Sequence, residues 1–536
     1  MRDESLARAA PERLRQGDRA ALRDALLASR ADTLETFARY ERALPGLQVP
    51  QRAELNPPLW ELGHIGWFQA WWLHRNPERA RGAGADPGAP RAASDPLDAD
   101  AYLALPTQAR GYLTSPNELR RVAALAAAGR EPYATAVKAL LAFADDALQR
   151  KPIDVPEIIN INSDIDSPKY ISTGAKHVYA WALAYNLLRD TDPAQAAAYA
   201  QQARDWIMAM PRNQTQVKDY DHNTRLNLSV YMQNFVYAAD LLADWTPAGG
   251  PEPFAASADA RLLKQWLGAV IVRYPYNAAF TRVNNWGAWA RLSTAAIADY
   301  VGDDAPLYVQ GLVKNQDGAY EVDPELACES GGSAGCVQVD AHTMYADALR
   351  LHYDAVDGRM YEFSFSSCDG SGSKSMIRPD GGIPDELRRQ YDCDATRIDD
   401  AYGAAARYSQ FAIEAMVSLA EIAWRRGDSG LYTHIDQQTG RGALYRAVRF
   451  LIDNNVTLTR GSMLEMVNHF YRYQAGIESD AAKRNEYEQL LAHDLPGILK
   501  RQDEWPEGPG FVSFGTLTHG FAAGEALSPP PAVQPR

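Results

Sequence analysis

Two asparagines and two tryptophans lie close together near the middle of the chain, in the stretch Arg282-Val-Asn-Asn-Trp-Gly-Ala-Trp289. Side-chain amides donate and accept hydrogen bonds, and indole rings cover the apolar faces of sugars. Asn284, Asn285, Trp286 and Trp289 are therefore candidates for a sugar-binding subsite. The alternative is structural, because asparagine is also a common cap at the start of a helix.

Arginines and a tyrosine form a second group. A Gly/Pro-rich turn over residues 378–389 ends on Arg388 and Arg389, and Tyr408 begins a predicted helix shortly afterwards. Arginine can bind a carboxylate through two parallel hydrogen bonds. Glu386 in the same turn most simply pairs locally. A solvated surface position is the alternative for each arginine.

One further helix carries a histidine near its predicted start. His342 follows Asp340, and Tyr345 comes three residues later. A histidine can act as a base with little adjustment of its pKa. A lone histidine is more often structural, so His342 and Tyr345 are weaker candidates by themselves.

Other motifs do not meet the requirements of the sites they suggest. GGSAG at residues 331–335 has the spacing of a nucleophile elbow but lacks the strand that must precede it. Because Cys328 and Cys336 flank it, a disulfide loop is favoured. The segment from Asp392 has Arg397 where a calcium loop needs glycine. Without H-E-x-x-H or C-x-x-C, the sequence predicts no metal and no cofactor.

The elements that must position these residues are mainly helices. Apolar residues recur at spacings of three and four, as in Val178, Trp181, Ala182, Tyr185 and Leu188. Alternating strand patterns are scarce, and no fixed-period repeat is visible. Helices joined by short turns pack as antiparallel pairs. We expect an all-α fold, an (α/α) toroid of helical hairpins with a groove on one face, preceded by a short separate helical segment.

Composition and charge exclude several classes of protein. The 536 residues are 46% hydrophobic and 23% charged, with a net charge of −14. These are the proportions of a globular chain with a sizeable core, and the length suggests roughly two to four domains. Nucleic-acid binding normally needs a basic surface, so no nucleic-acid partner is expected. No run of about 18 apolar residues is present, so no membrane partner is expected either.

Three of these motifs occur in the same order in one enzyme family. Asn284-Asn285-Trp286 stands where that family often has Asn-Asn-His, the turn from Asp380 matches D-G-x-x-P-x-E-L-x-R, and a helix begins at Tyr408. On these grounds residues 100–520 resemble the alginate lyase superfamily of polysaccharide lyases, with families thirty-eight and five the most similar. Trp286 replaces the usual histidine. An insertion at roughly 390–403 leaves the choice between Arg388 and Arg389 open.

The resemblance implies β-elimination at the 4-O linkage of a uronic-acid polymer, without a metal. Asn285, Arg389 and His342 would neutralise the uronate carboxylate, because preorganised donors stabilise the charge that develops when the C5 proton is removed. Tyr408 and His342 would transfer protons, and the tyrosine would need neighbouring cations to act as a base. The implied substrate-binding residues are Asn284, Trp286, Trp289, Arg388 and Tyr345.

The amino-terminal residues carry a different resemblance. ELNPPLWELGHIGWFQAWW at residues 54–72 is similar to the DinB-like domain of the iron-dependent sulfoxide synthases that make ergothioneine and selenoneine. His64 matches one of that family's three iron ligands, but the later H-x-x-x-H is missing, and one imidazole cannot hold catalytic iron. We predict four parts: a truncated DinB-like segment at 1–75, a Pro/Gly/Ala linker at 76–98, the toroid at 99–523 and a disordered tail at 524–536.

The four cysteines favour an oxidising compartment. Cys328 and Cys336 bracket one loop and Cys368 and Cys393 another, although four cysteines allow three pairings. No apolar segment typical of a signal peptide follows Met1. By analogy with the lyases we expect a periplasmic or secreted protein whose start codon supplies no signal peptide.

Three functions remain open on the sequence alone. We expect a metal-independent polysaccharide lyase whose partner is an acidic polysaccharide, either alginate or a related polyuronate such as glucuronan. An α/α-toroid glycoside hydrolase would need two opposed carboxylates, for which Asp380, Asp385 and Glu386 are candidates. A non-catalytic carbohydrate-binding helical protein is the third. The sequence leaves the oligomeric state and the particular uronate open.

Overall fold

The structure, a computed structural model, describes the following residues: 19–44, 99–148, 154–159, 169–218, 222–360 except 317, 327 and 329–332, then 377–390, 393–435, 442–491, 512–522, 525, 527, 529 and 530. The chain divides into two units, Met1–Ala101 and Tyr102–Arg536. His64 and the predicted linker lie outside the described residues. The DinB-like interpretation therefore stays a prediction.

The described part of the first unit is mainly one helix, α1 (Arg19–Ala43). An ion pair between Arg39 and Glu35 spans one turn of it, at 2.5 Å. Leu27 and Leu34, two turns apart on this helix, are each 54% exposed.

The second unit is predominantly helical in its described residues. Its α-helices are α2 (Pro116–Ala127), α3 (Tyr133–Leu148), α4 (Lys169–Leu188), α5 (Pro193–Ile207), α6 (Ala209–Arg212), α7 (His222–Leu241), α8 (Ala258–Trp266), α9 (Arg273–Thr281), α10 (Asn285–Val301), α11 (Ala341–Val356), α12 (Pro384–Leu387), α13 (Ala404–Arg425), α14 (Gly430–Thr433), α15 (Ala443–Asp453), α16 (Gly461–Ile477), α17 (Ala481–Leu491) and α18 (Gly515–His519).

Local sequence signals explain where several of these helices begin. Asp192 caps α5 by accepting a hydrogen bond from the backbone N–H of Gln195 at 3.1 Å, and Pro193 occupies the first helical position. Ser115 caps α2 in the same way, again with proline next. Such caps satisfy N–H groups that have no partner inside the helix, and the fixed φ of proline suits the first turn.

The helices of this unit form two layers. The inner helices α4, α7, α10, α13 and α16 contact one another in that order, and α18 with α2 and α3 closes the ring between α16 and α4. Outer helices pack on them, with α5 on α4, α9 and α11 on α10, α15 on α13 and α17 on α16. Large apolar side chains such as Trp181 fill the space between layers. The predicted all-α toroid is confirmed.

All the inner helices point the same way. Near their carboxyl ends, Asn186 of α4 donates to the carbonyl of Leu241 in α7 at 2.9 Å, and Arg426, just after α13, pairs with Asp299 of α10 at 2.8 Å. Their amino ends therefore meet at the opposite end of the ring. Each helix amino terminus carries roughly half a positive charge, so that end favours anions.

Short strands pair with one another in some of the connections between helices. The strands are β1 (Ile158–Ile159), β2 (Gln216–Val217), β3 (Leu307–Val309), β4 (Leu312–Lys314), β5 (Tyr320–Val322) and β6 (Val337–Val339). They form one parallel pair, β1 with β2, and two antiparallel pairs, β3 with β6 and β4 with β5.

The structure contains the disulfide that was favoured for the first pair of cysteines. Cys328 and Cys336 are disulfide-bonded, as the sequence favours. Cys393 is also disulfide-bonded, and Cys368 lies outside the described residues. None of the helices that the structure describes has the length and hydropathy needed to cross a membrane.

Candidate active site

The two asparagines at the start of α10 are anchored by two carboxylates. Asn284 caps the helix through its side-chain oxygen, and its Nδ2 donates to Asp385 at 2.6 Å. The backbone N and the Nδ2 of Asn285 both donate to Oε1 of Glu386, at 2.6 and 2.7 Å. All four side chains are buried. The amides therefore join α10 to the helical turn α12.

The shape of the preceding turn presents these carboxylates. Gly381 has a φ of +98°, and a Cβ there would lie 2.1 Å from the carbonyl oxygen of Arg446, so only glycine fits. Asp380 pairs with Arg378 at 2.7 Å and accepts from the backbone N of Gly382. Pro384 then occupies the start of α12. This places residues 385–389 beside α10 and α13.

Arg389 connects the buried carboxylates to Tyr408. Its Nε donates to Oε2 of Glu386 at 2.7 Å, and its Nη2 lies 3.9 Å from Asp385. The guanidinium carbon is 4.3 Å from the centre of the Tyr408 ring, a cation–π distance. The side chain of Arg389 is 26% exposed and Tyr408 is 38% exposed. We call the connected residues Asn285, Glu386, Arg389 and Tyr408 the contact series.

Burial and neighbouring charge act in opposite directions at Glu386. Burial raises the pKa of its carboxyl to about 7, although the adjacent Arg389 favours the ionised form. Burial by itself would lower the pKa of Arg389, but the carboxylates of Glu386 and Asp385 raise it overall. Arg389 therefore remains charged, and Glu386 can exchange a proton near neutral pH.

The two tryptophans of the predicted subsite have different surroundings. Trp286 is half-buried, with the Arg282 guanidinium 5.1 Å from its ring. Trp289 is fully buried, and its ring centre lies 5.1 Å from that of Phe411 in α13. A fully buried indole offers no face to a sugar. The substrate-binding role predicted for Trp289 is corrected to a core-packing role.

His342 and Tyr345 lie at the other end of the ring. They lie near the start of α11, which contacts the turn Gly302–Asp304 that follows α10. Asp299 and Arg426 act on the pKa of Tyr345, which burial raises well above its ordinary value. Asp299 is fourteen residues after Asn285, about 21 Å along the helix axis. The predicted site roles of His342 and Tyr345 are therefore corrected, since neither reaches the contact series.

Some residues at the site end were not singled out from the sequence. Arg460 precedes α16, with its guanidinium 5.6 Å from the Phe411 ring and 3.6 Å from Glu414. Gln410 accepts from the backbone N of Thr459 at 2.8 Å, which joins α13 to the start of α16. Glu386 pairs locally with Arg389, as expected, but its bonds to Asn285 come from a residue 101 positions away. The half-buried Arg388 is the neighbour of Arg389 in the chain.

Within the described ranges, no three His, Cys, Asp or Glu side chains are grouped so as to hold a metal ion. The chemical groups that the structure does bring together are a carboxamide, a guanidinium, a phenol and a protonatable carboxyl.

A part of the chain that includes two of these groups matches a known protein family. Residues 361–459 match the family model described as alginate lyase, a range that includes Arg389 and Tyr408. The chain is similar to alginate lyases there. The match supports polysaccharide lyase activity.

Two other comparisons complete this result. No curated protein matches the chain. A crystal structure of an alginate lyase from Bacteroides ovatus is 15% identical, covering 72% of this chain and 97% of that chain, with a TM-score of 0.43.

Proposed function

We propose that this polysaccharide lyase cleaves a uronic-acid polymer, alginate or a related polyuronate such as glucuronan, by β-elimination. The contact series carries the proposal. It joins an amide, a guanidinium and a phenol at the end of the ring where the inner helices begin. These are the groups needed to bind a carboxylate and to move a proton next to it.

Arg389 is the proposed partner of the uronate carboxylate. Its side chain is partly exposed and remains charged. Planar guanidinium groups bind carboxylates through two hydrogen bonds, which also orient them. The positive helix ends add to this attraction. An acidic substrate can therefore bind although the whole chain has a net charge of −14.

Tyr408 is the proposed proton-transfer residue. In the elimination, a base removes the proton from C5, the electron pair forms the C4–C5 double bond, and the bond from C4 to the leaving oxygen breaks. The leaving oxygen then takes up a proton. The Arg389 guanidinium lies over the tyrosine ring, so Tyr408 is next to the group that would bind the carboxylate. Because His342 is distant, the proposal assigns proton transfer to Tyr408 without it.

The carboxylates of the site favour a lyase over a glycoside hydrolase. A hydrolase needs two carboxyl groups that reach opposite sides of the glycosidic bond, roughly 5 to 9.5 Å apart. Asp385 and Glu386 are buried and hydrogen-bonded to the asparagines, and Asp380 is paired with Arg378. These three carboxylates therefore hold other residues of the site in place, and they are not arranged on opposite sides of a substrate.

The disulfides support a periplasmic or secreted location. The bond between Cys328 and Cys336 and the bonded state of Cys393 fit an oxidising compartment.

Ultraviolet absorbance on a panel of polyuronates tests the proposed function. A lyase releases products with a double bond conjugated to the carboxylate, so absorbance should rise with alginate, polymannuronate, polyguluronate or glucuronan. New reducing ends without absorbance would indicate a hydrolase. Saturable binding with neither signal would indicate a carbohydrate-binding protein.

A further inference from the structure

Glu386 holds two different parts of the proposed site. Its side chain is fully buried, with Oε1 accepting from the backbone N and Nδ2 of Asn285, and Oε2 accepting from Nε of Arg389. Hydrogen bonds to a carboxylate are short and strong, and they fix the donor groups. The state of this carboxyl therefore decides how both side chains are oriented.

In this structure the Asn285 side chain is fully buried and offers no donor to an anion. Its Nδ2 is used by Glu386, and its Oδ1 is buried and accepts no hydrogen bond from the described residues. An amide oxygen accepts hydrogen bonds and cannot donate one to a uronate carboxylate. Half a turn of the amide would free the NH₂ group, but it would also bring Oδ1 against Oε1 of Glu386. Two oxygens can be neighbours there only if one of them carries a proton.

We propose that Glu386 is a positioning residue that takes up a proton when a uronate carboxylate binds, and that protonated Glu386 holds Asn285 with its NH₂ group toward the substrate. The Glu386 O–H would donate to Oδ1 of Asn285, while the backbone N of Asn285 and Nε of Arg389 keep their acceptors. This inference rests on the proposed function and adds a proton-coupled orientation of Asn285 to it.

The charges around Glu386 are consistent with proton exchange there. On its own element, Arg389 favours the carboxylate and Asp385 favours the protonated acid. From α10 it faces neutral amides, and from α13 the Tyr408 phenol lies beyond Arg389. Burial raises the Glu386 pKa to about 7. A bound uronate carboxylate would share the Arg389 charge and would raise this pKa further.

Calorimetry on an inactive background tests the proposal. We expect Tyr408→Phe to slow turnover, which would allow binding of an oligouronate that the wild type cleaves to be measured at pH 8 in two buffers of different ionisation enthalpy. We expect uptake of close to one proton per bound chain. Adding Glu386→Gln should abolish the uptake, because the glutamine amide cannot take up a proton. Adding Asp385→Asn instead keeps the Glu386 carboxyl, so proton uptake should persist, although loss of the Asp385 charge lowers the Glu386 pKa.

Two results would overturn the inference. One is binding to Tyr408→Phe without proton uptake, which needs no folded Glu386 variant. The other is unchanged uptake in the Glu386→Gln double variant. Failure of the proposed function is a separate result, because wild-type enzyme would then produce no absorbance from any polyuronate.

Discussion

Tyr408→Phe removes the one atom on which the proposed proton transfer depends. The ring is 38% exposed and lies under the Arg389 guanidinium, and its hydroxyl makes no hydrogen bond with the described residues. Phenylalanine keeps the cation–π contact, so we expect the free energy of unfolding to change by less than about 0.5 kcal/mol. Loss of an acid–base group typically costs about 100- to 10,000-fold in rate, or about 2.7 to 5.5 kcal/mol of transition-state free energy.

The assay is the absorbance of unsaturated product, with kcat and KM measured separately. We expect kcat to fall within that range, while KM changes little because Arg389 still binds the carboxylate. Tyr402→Phe is the matched control, since Tyr402 is 68% exposed, lies six residues earlier and has no assigned role, so its kcat should stay near that of the wild type. A folded Tyr408→Phe protein with near-normal kcat would refute the assignment.

Four further outcomes follow from the structure. His342→Ala should leave kcat within about twofold of the wild type by the same absorbance assay, because His342 is exposed at the far end of the ring, and a fall near the 100-fold scale of acid–base catalysis would contradict this placement. Trp289→Ala should reduce the free energy of unfolding by about 3 to 5 kcal/mol in denaturant titrations, since the indole is fully buried, and a much smaller loss would argue against its packing role. Removing residues 1–98 should leave absorbance activity largely intact, because Tyr102–Arg536 forms its own unit; a truncated protein that is folded by circular dichroism but inactive would count against this. Dialysis against a chelator should not lower kcat, and activity lost and then restored by added metal would reveal a metal requirement.

The fold could be predicted because its signals are local. Spacings of three and four identify a helix from its own residues, and Asp192-Pro193 fixes the start of α5 through contacts within one turn. The antiparallel pairing of neighbouring helices follows from the short turns between them. The helical hairpins also predict a toroid, but its closure through α18, α2 and α3 depends on contacts between distant parts of the chain, so the sequence does not show which helices close it.

The site could be predicted only in part. Arg389 and Tyr408 lie in a motif whose residues are close in sequence, and Asn285 was named from its own motif. Their connection runs through Glu386, whose bonds to Asn285 span 101 residues and leave no local pattern. The error at Trp289 has the same origin, because the sequence Asn-Asn-Trp-Gly-Ala-Trp does not show which indole faces α13.

His342 shows why a residue at the start of a helix cannot be assigned to the site from sequence alone. Inner and outer helices of the ring alternate in direction, so the start of an outer helix such as α11 lies at the end of the ring where inner helices finish. The starts of the inner helices α10 and α13 lie at the proposed site, together with the short helix α12. The layer of a helix is decided by tertiary packing, and both layers have apolar faces.

The arginines at the two ends of the ring are paired with carboxylates to different extents, and this difference indicates where an anionic substrate can bind. At the end of the ring where the inner helices finish, Asp299 forms ion pairs with both Arg110 and Arg426, at 2.7 and 2.8 Å. The charges of these two arginines are therefore already compensated. Burial raises the pKa of the neighbouring Asp240 to about 6, and the nearby Asp299 carboxylate adds to this rise. At the amino end, the acidic partners of Arg389 are buried beneath it, and one of them can take up a proton. Protonation of Glu386 would leave the Arg389 charge less compensated at the moment when a uronate carboxylate arrives, so the same proton that turns Asn285 also strengthens the arginine as a binding group.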